Sequence, residues 1–268
     1  MEFFIAIIQL ITLDFSGFVE SLNKAPIIFS WFLFLIFCLI LILILLKLFG
    51  EVGMYIYTVL AIIGANIQVL KLVEFPFFSN PIALGTILFS STFLATDILS
   101  EYYGIKFARK NILIGFISFL IFTIFMLFTM GFTPLDPGST SDQYSWAIPL
   151  QDNLTAIFMP FPTFFIASMI AYLVSQYFDV WFYAKLSLFT KNKLLWLRNN
   201  ISTMISSLMD NTIFSIFAWI ILNPEPLDFN TVLFTFILGT YFLRIIIAIL
   251  DTPFIYLARN FLPKNTNV

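Results

Sequence analysis

The sequence predicts an all-α integral membrane protein with about seven transmembrane helices, oriented N-out and C-in. Three observations carry that prediction. Hydrophobic residues make up 60% of the chain and charged residues only 10%, where soluble chains carry about 25% charged residues. Long uncharged runs recur along the whole length, and the mean hydropathy is +0.99. The basic residues then fall on one side of those runs. A chain this poor in charge cannot cover a water-facing surface.

The composition also excludes several chemistries. The net charge of −2 gives no footprint for nucleic acid. There is no histidine, which removes His-based acid–base catalysis, Ser–His triads and HExxH zinc sites. The single cysteine, Cys38, can build neither a disulfide framework nor a thiolate metal site. No catalytic residue, cofactor or metal is expected.

Taken in order, Phe3–Leu13 is apolar but too short to span, since crossing takes about 20 residues. It reads as an interfacial or partly inserted helix within an external segment, 1–27. It lacks the basic start and small-residue cleavage site of a signal peptide. Seven runs are long enough to cross: Ile28–Phe49, Gly53–Val73, Pro81–Tyr103, Asn111–Phe132, Leu154–Phe178, Ile201–Leu222 and Thr231–Leu257. The first covers 28–49. The other six form a core over 53–260, and 261–268 is a cytoplasmic tail. The longest connection, Thr133–Asp152, is punctuated by Pro, Gly and Ser and carries only acidic charges, as suits an external loop.

Charge placement tests this order independently. With the N-terminus outside, the inner side holds Lys47, Lys106, Arg109, Lys110, Lys185, Lys191, Lys193, Arg198, Arg259 and Lys264. The outer side holds Lys24 and Lys71, and Arg244 falls within a span. That is the bias of cytoplasmic loops.

Ionisable groups inside a span cost on the order of 2.5–3.5 kcal/mol at mid-span, so they face cavities or one another. Asp97 and Glu101 are four apart and share a helix face. Gln176 and Asp179 lie three apart in the fifth span, and Thr203, Ser206 and Asp210 form a stripe in the sixth. Arg244 and Asp251 share a face of the seventh, and Asn66 and Gln68 lie in the second. For Glu101 and Asp179, two readings stand: a polar pocket, or interface pairing with Lys106, Arg109 or Lys185. Arg244 with Asp251 reads as a structural ion pair or as part of the pocket. Carboxylates on four spans together imply a shared polar site and suggest transport. A weak internal similarity links TDILSEYYGIKFARK with VSQYFDVWFYAKLS.

ANIQVLKLVEF (65–75), FLATDILSEYYGIKFARK (93–110), YLVSQYFDVWFY (172–183), WLRNNISTMISSLMDN (196–211) and LDTPFIYLAR (250–259) occur in one order and spacing. In these the chain resembles the queuosine precursor transporter family, also called the VUT or vitamin uptake family, from Gly53 onward; the resemblance implies a six-helix transporter core over 53–260, with 28–49 as an additional N-terminal helix. Two departures stand out. Ser207 and Asn211 occupy positions where the family pattern has Gln and Thr, and Arg244 occupies a lysine position. The resemblance implies a multi-pass protein of a bacterial cytoplasmic membrane. It would import a 7-deazaguanine, whether the 7-cyano base, the 7-aminomethyl base or queuine, for salvage into tRNA.

The implied partners are a small nucleobase and the lipid bilayer, with homo-oligomerisation left open and no nucleic acid. Asp97, Glu101, Asp210, Gln176 and Asn66 are the expected base-binding residues. Arg244, Asp251, Asp179, Asn200 and Thr203 are the expected gating or structural network. Two other readings remain: a binding subunit that needs a separate energising complex, and a membrane enzyme holding a divalent ion at Asp97 and Glu101.

Overall fold

The computed structural model describes residues 2–78, 80–159 and 161–263. Lys264 and residues 264–268 of the expected tail lie outside the described residues. The chain runs α1 (Glu2–Ile11), α2 (Phe15–Lys24), α3 (Ile27–Phe49), α4 (Glu51–Gln68), a two-stranded hairpin of β1 (Leu72–Val73) and β2 (Ile82–Ala83), α5 (Thr86–Tyr102), α6 (Ile105–Gly131), α7 (Ala147–Phe158), α8 (Phe161–Phe189), α9 (Leu195–Ile216), α10 (Phe229–Thr231) and α11 (Thr240–Phe261).

Among the described residues, five helical runs are long and apolar enough to cross a membrane: Ile27–Phe49, Ile105–Gly131, Thr163–Phe189, Leu195–Ile221 and Phe229–Phe261. The chain is therefore a helical, multi-pass membrane protein. α4 and α5 are the other two long helices, with 18 and 17 residues. α5 is about 25 Å long at 1.5 Å per residue and is the central helix, with 12 of its 17 residues buried. Exposed side chains such as Phe37, Leu60, Phe125 and Phe128 clothe the outside of the bundle in apolar surface. In water that would be a liability; against lipid it is the expected solvent-facing skin.

The N-terminal segment is a helical pair rather than one helix. Asp14 caps α2 by accepting the Gly17 amide at 3.0 Å, and Ser21 of α2 donates to Gln9 of α1 at 2.7 Å. Helix ends also shift from the runs of apolarity. The third run begins in β2 and becomes helical only at Thr86, because Gly85 takes φ +97°. A side chain at Gly85 would meet the Ala65 carbonyl oxygen at 2.8 Å, so hairpin and α4 approach closely there. Gly50, at φ +59°, makes the tight turn from α3 to α4 beside Tyr103 and Pro263.

Polar residues interrupt the apolar run of α9, yet that helix is long and continuous. Those residues are buried: Asn199, Ser202, Thr203, Ser206, Ser207, Asp210 and Asn211 all face the bundle interior. Beyond α9 the helix widens to π geometry at Phe217–Ile221, and the approach to α11 is π-helical over Val232–Gly239.

Candidate functional site

The buried polar groups sort into three layers along the bundle. The layer nearest the basic end closes on Glu101. Arg198, 1% exposed, places one nitrogen 2.7 and 2.8 Å from the two Glu101 oxygens and another 2.8 Å from the Ser187 hydroxyl. Tyr183 donates to the same carboxylate at 2.7 Å. This ties the C-terminal ends of α5 and α8 to the start of α9. Sequence reading offered Lys106, Arg109 or Lys185 as partners; the structure gives Arg198 instead. The reason is position, since Arg198 lies one turn inside α9 and points inward while the loop bases point out.

The layer at the opposite end is a second ion pair. Arg244 of α11 donates to Asp210 at 2.6 Å, and Ser175 of α8 donates to the other Asp210 oxygen at 3.1 Å. The Phe89 ring lies 6.0 Å from the guanidinium. The alternative pairing of Arg244 with Asp251 is not formed. Seven residues of helix separate the two along α11, about 10 Å, and Asp210 of the facing helix is nearer. Asn211 sits beside this pair and serves the π-helix. It donates to the Ile237 carbonyl at 2.6 Å, the Phe236 carbonyl at 3.2 Å and the Thr240 hydroxyl at 2.7 Å. A π turn leaves carbonyls without their usual amides, and Asn211 supplies what is missing.

Between these pairs lies a layer of acids. Asp97, Asp179 and Asp251 are each at most 1% exposed. Thr203 donates to Asp97 at 3.2 Å, and Asn199 donates to Asp251 at 2.9 Å. Asp179 shares a face of α8 with Gln176 and Tyr183, which bond Thr92, Thr96 and Glu101 of α5, so it looks onto α5 at the level of Asp97. One oxygen of Asp97, one of Asp251 and both of Asp179 accept no well-formed hydrogen bond from the protein. The buried arginines among the described residues, Arg198 and Arg244, are already committed to Glu101 and Asp210.

The remaining predicted residues flank this layer. Gln176 of α8 accepts from Thr96 and donates to Thr92 of α5, both at 3.0 Å. Asn111 of α6 extends the chain of contacts to Thr58 of α4 at 2.9 Å. Asn200 bonds Thr252 at 2.6 Å, bracing α9 against α11 beside Asp251. Asn66 is buried but donates to the Ile62 carbonyl of its own helix at 2.9 Å. It lies near the Gly85 turn, towards the other end of α5 from Asp97. Sequence reasoning did not single out Tyr183, Arg198, Asn199, Ser202 or Asn211 as polar-site residues, although RNN and STMISS signalled a polar face on α9.

Two cavities approach from the end opposite the loop bases. One of about 450 Å³ is bounded by α2, α3 and the hairpin, with Asn23, Trp31, Gln68 and Lys71 in its wall. The other, about 30 Å³, is lined by Phe89, Asn211, Trp219, Phe236 and Arg244. Ala83, Leu84 and Thr86 belong to both walls and form the partition between them. The inner space has room for a water or two, so nothing larger passes there unless helices part.

A family model described as "Putative vitamin uptake transporter" matches residues 83–258. The chain is also 32% identical over 236 residues to the "Probable queuosine precursor transporter" of Bacillus subtilis (strain 168), covering 88% of this chain and 96% of that one. No solved structure gives a significant match. The matched region contains α5 to α10 and all but the last three residues of α11, with all three polar layers, and the chain belongs to the vitamin uptake transporter family.

Proposed function

We propose that the chain imports queuosine precursors, 7-deazaguanines, across a bacterial cytoplasmic membrane, with seven spans, N-terminus outside and C-terminus inside. α3 is the additional helix, and α4 to α11 form the transporting core. The name of the Bacillus subtilis relative and the motif resemblance support the substrate class. The gathering of loop bases at the Glu101–Arg198 end supports the orientation.

The observation that carries the reading is Asp97. It is a fully buried carboxylate on the central helix, with one oxygen held by Thr203 and no cation beside it. A guanine-like edge presents a ring N–H and an exocyclic amino group side by side, and one carboxylate accepts both. Each charge-assisted hydrogen bond contributes on the order of 1.5–3 kcal/mol, enough to offset dehydration of the base edge. Gln176, one layer away on α8, suits the carbonyl side of the same ring. The ion pairs above and below then act as the two barriers of an alternating-access cycle, Arg244–Asp210 towards the outside and Arg198–Glu101 towards the cytoplasm.

The test is salvage. A strain unable to make the precursor receives this chain alone and is fed each candidate base, and queuosine in its tRNA is measured. Restoration by at least one deazaguanine is expected. Restoration only when a separate energising complex is supplied would replace the transporter with a binding subunit.

A further inference from the structure

Base binding at Asp97 leaves Asp179 without a task. Its carboxyl is fully buried on α8, and neither oxygen receives a well-formed hydrogen bond. That face of α8 meets α5 at the level of Asp97, through Gln176 before Asp179 and Tyr183 after it. Two ionised carboxylates at one level, out of water, repel strongly; one proton held by the pair removes a charge and supplies a missing hydrogen bond.

The Ser206 hydroxyl of α9 is also fully buried and without a well-formed partner. The surroundings offer no competing counter-charge. From α5 come Asp97 and, a turn nearer the basic end, Glu101. From α9 comes Arg198, held by Glu101, and from α11 Asp251, held by Asn199. On α8 itself Tyr183 is committed to Glu101 and Gln176 to the α5 threonines. The α4 and α6 groups nearest this interior, Thr58 and Asn111, are neutral. Among the described residues no three acidic, cysteine or histidine side chains converge to hold a metal ion.

The geometry points to the Asp97–Asp179 pair as a proton-binding site that couples transport to the proton gradient, an inference that rests on Asp97 as the acceptor of the base. Asp97 accepts two N–H groups only when ionised, so on binding its proton passes to an Asp179 oxygen. Asp179 releases that proton to the cytoplasm as the base leaves, and the pair takes up the next from outside. One proton crosses with each base, and no other bond is made or broken.

The experiment uses the purified chain in proteoliposomes with 7-cyano-7-deazaguanine, whose side group binds no proton at neutral pH. Two readouts are compared: counterflow without a gradient, and accumulation under an acid-outside gradient. One proton per base allows up to about tenfold accumulation per pH unit, abolished by a protonophore. Asp179→Asn is expected to keep counterflow and lose gradient-driven accumulation. Wild-type uptake indifferent to the gradient, or an Asp179→Asn protein that still accumulates base, would overturn the inference. Should Asp179→Asn fail to fold, Asp179→Glu keeps a titratable group. It is expected to retain accumulation with a displaced external-pH profile, and an unchanged profile contradicts the proposal. Absence of wild-type counterflow would instead strike at the substrate assignment.

Discussion

Arg198 on α9, itself buried, and Glu101 on α5, partly exposed, form an ion pair, with both carboxylate oxygens within 2.8 Å of one guanidinium nitrogen. Tyr183 and Ser187 of α8 complete the contact, so three helices meet at one charge pair. Breaking a buried pair strands a charge in low dielectric, at about 3–5 kcal/mol, whereas removing both partners costs far less. Glu101→Ala alone is therefore expected to lower the detergent melting temperature or membrane abundance sharply. The double variant Glu101→Gln with Arg198→Gln is expected to recover much of that loss. Equal losses in the single and double variants would mean the pair contributes packing rather than charge compensation.

Asn211 has a different task, structural and local. Its amide satisfies two carbonyls of the π-helical stretch before α11 and the Thr240 hydroxyl. Asn211→Leu leaves those buried acceptors short of donors, a loss of about 1–3 kcal/mol. Thermal unfolding in detergent measures it, and a melting temperature unchanged by the substitution would refute the role.

Orientation can be read with a single introduced cysteine in a Cys38→Ser background. A cysteine at Ser139, exposed in the connection between α6 and α7, is expected to react with an impermeant maleimide in intact cells. One at Lys193, exposed between α8 and α9, should react only after permeabilisation. The reverse pattern would invert the membrane topology.

Much of this architecture is legible in the sequence, and the reasons differ by feature. Long apolar runs need only counting, so α3, α6, α9 and α11 are found at roughly their true positions, whereas the run Leu154–Phe178 begins inside α7 and stops 11 residues short of the end of α8 at Phe189. α5 is harder, because its outer turn is a hairpin and a left-handed glycine rather than helix. α2 is short and polar enough to read as loop. Among the site residues, Asp97 stands out because a lone acid deep in a span is costly. Arg198 does not, because sequence alone counts it among the loop bases and only helix packing turns it inward. The two segments of weak internal similarity lie on α5 and α8, which pack together: Gln176 bonds Thr92 and Thr96, and Tyr183 bonds Glu101. Asn66 shows the converse. It is polar and within a span, yet its helix places it near the hairpin, bonded to its own backbone.

The central claim, that this chain carries a deazaguanine through Asp97, is tested most directly by counterflow of labelled 7-cyano-7-deazaguanine into proteoliposomes of the purified protein and its Asp97→Asn variant. The account predicts saturable wild-type exchange, competed by other 7-deazaguanines. It predicts loss of at least about tenfold in Asp97→Asn, as expected for one or two lost charge-assisted hydrogen bonds, with the variant folded and reconstituted equally. Exchange undiminished in Asp97→Asn would contradict it.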